Sequence, residues 1–296
     1  MSFKSKLYNR SHVIFSLAKD TLVSFFQERA FFHGAALAYY ALFSIFPLLF
    51  LVISFLGRIL EKDYILNQIQ EFLTETVGLR NVDEIMLVVK SYDLNRGNLF
   101  FEILGIIFVI IASSAFLNSL RISINEIYNI ERMVLRVRKA IQVNIFERLI
   151  SILFLAGFAL LFLILYLFHS IGFTVIHILI DKSHDIQVVF IGLLDFTFSI
   201  LFNYFIFLLV FKYLNNGTVK WRVASMGAIV TAVLLFFGQL VIKYYLFNMF
   251  ALGSTGIIGS IFIFMAWIHY SSQIIFVGAK FTYTFSKKIG SPIIAR

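Results

Sequence analysis

Apolar and polar positions in this chain alternate on a long scale. Six apolar stretches, at roughly 31–57, 98–120, 146–170, 187–213, 223–247 and 256–280, are separated by shorter polar segments. Each has at least 23 residues, and a helix needs about 20 apolar residues to cross the ~30 Å hydrocarbon core of a bilayer. The pattern predicts an all-α fold, a polytopic integral membrane bundle of six transmembrane helices. Two further segments carry a one-sided helical pattern. In 13–30, Phe15, Ala18, Leu22, Phe25 and Phe26 recur at three- and four-residue spacing. Such a helix either lies in the headgroup region or packs on the ends of the spans. In 58–97, Ile65, Leu66, Ile69, Phe72 and Leu73 form one face and Val82, Ile85, Met86 and Val89 a second, with Gly78 between. The expected organisation is a 1–30 terminus with an interfacial helix, a 31–285 transmembrane domain with an outer segment 58–97, and a 286–296 tail.

Composition strengthens this picture. The chain is 60% hydrophobic and 14% charged, with 37 Phe, where a soluble domain has about 25% charged residues. One aqueous core could not hide so much apolar surface. Cysteine is absent, which removes disulfides, thiol nucleophiles and thiolate metal sites. No cleavable leader is apparent, because the first apolar run is long and lacks a small-residue cleavage site, so it is expected to remain as the first span.

The net charge of +9 follows topology. Six crossings put both termini on one side. That side, taken as 1–30, 121–148, 212–222 and 280–296, holds 18 Lys/Arg and 5 Asp/Glu; the remainder holds 7 and 11. Positive loops stay in the cytoplasm, so both termini are expected there, and anionic lipid headgroups are the expected partners of the basic side. Nucleic acid is not expected, since no recognition helix or aromatic-interleaved groove accompanies the charge. Small-residue helix faces would permit a homo-oligomer without requiring one.

Polar groups at membrane depth are the candidate functional residues. Asp195 in the fourth stretch and Lys243 in the fifth fall at similar heights and could pair, line a polar path, or make no contact. Tyr39, Tyr40 and Ser44 lie beside Pro47 in the first stretch, where proline frees a helical carbonyl that Ser44 is expected to help satisfy. This stripe either lines a cavity or locks helices. Asn118 and Asn203, with Gln239, suit interhelical hydrogen bonds, and Asn125 is a further cavity or packing candidate. His269 lacks a His or carboxylate one turn away, so no metal site is expected. Ser271 and Ser272 lack an evident Asp–His partner, and a packing role is favoured. No phosphate loop, nucleophile elbow or dinucleotide turn is present, so neither cofactor nor enzyme activity is expected.

Four stretches carry a family resemblance. Gly34-Ala35-Ala36-Leu37-Ala38-Tyr39-Tyr40-Ala41-Leu42-Phe43-Ser44-Ile45-Phe46-Pro47 is the first. Asn125-Glu126-Ile127-Tyr128-Asn129 is the second. Lys220-Trp221-Arg222 with Gly227-Ala228 is the third, and Gly256 to Ser260, Trp267 to Tyr270 and Gly278-Ala279 make the fourth. In order and spacing these resemble the YihY/BrkB family of bacterial inner-membrane proteins from about residue 10 to 288. Lys280 stands where that family often has Glu, and Asn215 or Asn216 where many members have Pro. The resemblance implies a six-span inner-membrane protein. Relatives are associated with virulence, envelope biogenesis or transport, and some carry a ribonuclease label that these residues do not support. The expected function is a transporter or lipid- and envelope-component-handling protein of undefined substrate, with a non-transporting scaffold as the alternative and a membrane ribonuclease as a distant one.

Overall fold

The described residues of the computed structural model are 16–26, 30–56, 62–71, 73–74, 82–83, 86–87, 99–130, parts of 153–172, 184–249 and 256–295. Helix α1 covers 16–26. It is followed by α2 (Ala30–Leu56), α3 (Lys62–Glu71), α4 (Leu99–Ile127) and α5 (His184–Leu209). One π-helical turn, Val210–Leu214, extends α5. Strand β1 (Gly217–Thr218), α6 (Trp221–Met249), α7 (Gly256–Lys288) and β2 (Ile294–Ala295) complete the order.

Four helices among the described residues are long and apolar enough to cross a membrane: Ile103–Ile127, Val189–Leu214, Trp221–Ile242 and Ile261–Lys288. They fall on the second, fourth, fifth and sixth apolar stretches. The first stretch forms the 27-residue α2, which stays helical through position 47. Of the third stretch only helical pieces from 153 onward are described. Ile107, Phe108 and Ile111 on α4, and Phe237, Leu240 and Val241 on α6, are exposed. Apolar rows of this kind are suited to lipid rather than water.

The chain divides into two units. One comprises Met1–Ala30, Arg121–Phe236 and Ile274–Arg296; the other comprises Phe31–Leu120 and Phe237–Gln273. In the first unit, α6 and α7 meet along a reciprocal seam. A Cβ placed on Gly227 would lie 1.9 Å from Thr282 Oγ1, and one on Gly278 would lie 1.9 Å from Thr231 Oγ1. The contacts run in opposite chain order, so the two segments are antiparallel. Each threonine hydroxyl donates to the glycine carbonyl one turn back on its own helix, Thr231 to Gly227 O at 2.7 Å and Thr282 to Gly278 O at 2.8 Å. The hydroxyls are thereby satisfied without leaving the seam, and Ala228 and Ala279 beside them are fully buried.

In the second unit, α3 and the turn after it bury the one-sided pattern of the outer segment, with Leu66, Ile69, Leu73, Val82 and Met86 all inside. The Met86 amide donates to Val82 O at 2.8 Å, a helical turn. Ile65, Phe72, Ile85 and Val89 have side chains outside the described residues.

Candidate functional site

At one end of the first unit, α4, the π turn, α6 and α7 finish or begin together, and the polar residues of two sequence motifs converge there with those of the end of α7. Asn125-Glu126-Ile127-Tyr128-Asn129 is the end of α4. The Asn129 amide donates to Glu126 O at 3.0 Å and the Ile130 amide to Asn125 O at 2.9 Å. This pair of bonds closes a helix with one left-handed residue. Asn129, at φ 53°, is that residue, and asparagine tolerates the conformation better than most. The cap turns Tyr128 inward and lets Asn129 Nδ2 donate to Tyr283 Oη at 2.9 Å. The same closure recurs at α7, where Gly290 adopts φ 65° and the Ser291 amide donates to Ser286 O at 2.9 Å.

The 214–222 turn is clamped by its neighbours. Asn125 Oδ1 accepts from the Asn216 amide at 2.9 Å. Arg121 Nε donates to Leu214 O at 3.0 Å. Asn215 Nδ2 donates to Phe211 O at 2.7 Å, and its Oδ1 accepts from the Gly217 amide at 2.9 Å. Lys212 Nζ donates to Val219 O. β1 then pairs antiparallel with β2, Gly217 opposite Ala295 and Thr218 opposite Ile294. A Cβ on Gly217 would come within 2.7 Å of Ile293 Cγ2 and 2.8 Å of Ile130 Cδ1, so the turn admits only glycine without repacking. The described part of the tail, 286–295, is therefore the last turn of α7 followed by an attached strand, with Lys220 Nζ donating to Ser291 Oγ at 3.0 Å.

Tyr128 and Tyr283 form the centre of this cluster. Their rings stack at 6.3 Å and 14°. The Lys280 and Lys287 ammonium groups lie 5.0 and 4.4 Å from the Tyr283 ring centre, within cation–π range. Lys280, where glutamate was expected from the resemblance, is only 4% exposed. Among the described residues the buried Tyr128 hydroxyl has no partner in full hydrogen-bond geometry. The Thr282 hydroxyl acts on the phenol as a weak hydrogen-bond partner but donates its own proton to Gly278 O. Burial therefore dominates and pushes the Tyr128 phenol well above its ordinary value, with Thr282 offsetting part of the shift.

The remaining sequence candidates are placed as follows. Tyr39 is 53% exposed, and its ring contacts Tyr40 and Phe43 on the same helix. Ser44 Oγ donates to Ala41 O at 2.9 Å. This corrects the expected role beside Pro47: a helical serine reaches carbonyls three or four residues back, whereas the carbonyl freed by Pro47 belongs to Phe43. The Pro47 side chain lies outside the described residues. Asn118 is exposed on α4. Asn203 Nδ2 donates to Ser199 O at 2.8 Å, so this bond stays within its helix instead of joining two. Asp195 is exposed on α5 and the Lys243 side chain lies outside the described residues, as does any pairing between them. The His269 ring meets Tyr270 at 5.6 Å. Among the described residues no group of three or more His, Asp or Glu converges as a metal site would require.

A residue not singled out in the sequence is the sharpest polar feature of the second unit. Gln273 is 8% exposed, and among the described residues neither Oε1 nor Nε2 has a hydrogen-bond partner. Its amide fills a notch on α2, where a Cβ on Gly34 would lie 2.0 Å from Gln273 Nε2 and 2.7 Å from Ser272 Oγ. Ser272 donates to His269 O at 2.6 Å, while the buried Ser271 hydroxyl has no partner. The signal for this site is a run of three polar residues, Ser271-Ser272-Gln273, near the middle of a span-length helix.

No curated protein and no solved structure matches the chain. The family model described as virulence factor BrkB matches residues 21–293 and so includes all four motif stretches. A membrane protein with apolar spanning helices, the chain belongs to the BrkB virulence factor family.

Proposed function

We propose that this chain is a non-enzymatic transporter or lipid- and envelope-component-handling protein. In this reading it lies in a bacterial inner membrane, crosses it six times and keeps both termini in the cytoplasm. The observation that carries the reading is the Gln273 amide, buried with both polar atoms unpartnered inside the span Ile261–Lys288. An unsatisfied buried amide costs about 1–3 kcal/mol. Groups of this kind within membrane helices mark paths for polar solutes. An amide both donates and accepts, so it suits a neutral hydrogen-bonding part of a solute or headgroup.

Gln273→Leu tests the idea in proteoliposomes loaded with candidate solutes and fluorescent lipids. The expected outcome is loss of movement while the purified variant melts no lower than the parent. Movement at the parental rate would remove Gln273 from any path. The reciprocal Gly–Thr seam supports a second reading, a rigid scaffold for envelope partners, because its packing leaves no space for a solute. On that reading Gln273→Leu changes neither stability nor envelope phenotype.

A further inference from the structure

The structure points to a second kind of ligand site, at the capped end of the first unit. Helix α1 buries Leu17, Thr21 and Phe25 and turns Leu22, Val23 and Phe26 outward, Phe26 being 67% exposed. It is tied to the end of α7 by Lys288, whose Nζ donates to Ser16 Oγ at 2.7 Å and pairs with Asp20 at 2.8 Å. At the same end the spans finish or start at Ile127, Leu214, Trp221 and Lys288. Trp221 and Tyr213 are exposed and meet edge to face at 5.8 Å, with the Lys212 ammonium 5.2 Å from the Trp221 ring. Lys19, Lys220, Arg222 and Lys287 are exposed around them. The acids described here are Asp20, already paired, and Glu126.

We propose that this end is a seat for anionic phospholipid. The outward Leu22–Val23–Phe26 face enters the acyl boundary, Tyr213 and Trp221 sit at headgroup level, and the surrounding cations meet phosphate. Three features choose this occupant over a protein partner or a second copy. The cationic excess complements an anionic leaflet. The exposed aromatic pair is of the type that settles at a membrane–water boundary. The ends of four span-length helices place the patch where a bilayer's hydrocarbon stops. The proposal rests on the membrane-spanning reading but not on transport.

Emission from Trp221 can be followed in a Trp267→Phe background, since the chain has two Trp. Purified full-length protein in neutral detergent is titrated with phosphatidylglycerol, phosphatidylcholine or soluble glycerol phosphate. Phosphatidylglycerol is expected to shift the emission to the blue and to saturate; the other two are not. Each of Arg222→Gln and Lys287→Gln is expected to raise the half-saturating phosphatidylglycerol about five-fold. Added salt weakens binding to the parent chain, a check that needs no variant at these positions. Equal response to the two lipids, or indifference to salt, overturns the proposal. Saturation by glycerol phosphate at the same concentration also overturns it, in favour of a free-phosphate site. Failure of Gln273→Leu to alter transport leaves these outcomes unchanged, so the two readings fail separately.

Discussion

Both units contain a glycine notch between helices, but the notches are filled differently. In the first unit, threonines fill Gly227 and Gly278, each branched at Cβ and tied to its own helix by a hydrogen bond. Such a side chain has little freedom to withdraw. In the second unit the far end of Gln273 fills the notch at Gly34. That amide has no bond to hold it and several torsions by which to leave. The first unit thus spends its small residues on a fixed seam, and the second on a polar group that can move. The contrast separates a contact fixed by branched, bonded side chains from one filled by an unbonded amide.

The largest effect is expected where the filler cannot yield. Gly227→Ala puts a methyl 1.9 Å from Thr282 Oγ1 and 3.0 Å from its Cβ. Overpacking of this kind costs about 3 kcal/mol, seen as a lowered melting temperature in detergent. Adding Thr282→Ala removes Oγ1 and Cγ2 and should recover most of the loss. A melting temperature unchanged by Gly227→Ala would mean that the seam is not rigid.

Gly34→Ala sharpens the comparison from the other side. Its methyl meets Gln273 Nε2 at 2.0 Å and Ser272 Oγ at 2.7 Å, but the amide can rotate aside at a cost of about 1 kcal/mol. Stability should fall less than for Gly227→Ala, and Gly34→Ala added to a Ser272→Ala, Gln273→Ala background, which removes both contacted groups, should not lower the melting temperature further. An equal loss at Gly34 and Gly227 would erase the distinction between the notches.

These differences were only partly visible in the chain itself. The spans follow from hydropathy alone, because bilayer thickness imposes a length on each apolar run. Leu66, Ile69 and Met86 were legible as buried because a helical period of 3.6 marks a face. The seam left a trace, Gly-Ala-x-x-Thr, at 227–231 and again at 278–282. Its meaning required knowing that those two helices run antiparallel in contact. Asn125 and Asn129 read as motif residues, whereas the clamp on Asn216 depends on a turn 91 residues from Asn125 and the bond from Asn129 Nδ2 reaches Tyr283, 154 residues away. β2 has two residues, too few for any periodic signal. Gln273 was passed over because one amide among serines looks like ordinary packing until its lack of partners is seen.

The smallest expected effect tests whether the fixed unit carries any dispensable polarity. Tyr128 is fully buried and, among the described residues, its hydroxyl meets no partner in full hydrogen-bond geometry, so Tyr128→Phe removes a desolvated group while keeping the ring stacked on Tyr283. Near neutral pH the change should be neutral or stabilising by up to about 1 kcal/mol. The phenol is held above its ordinary value of 10.0 by burial. Above that pH the unfolded chain releases this proton while the folded chain keeps it. The folded state then binds more protons, so stability declines as pH rises past about 10. Below that pH this contribution is complete and does not vary. Tyr128→Phe should therefore flatten the alkaline limb of a melting-temperature profile between about pH 9 and 11 without changing the limb below pH 8. A variant whose alkaline limb matches the parent would show that Tyr128 reaches water or a partner in solution, and the first unit's claim to the more fixed packing would lose support.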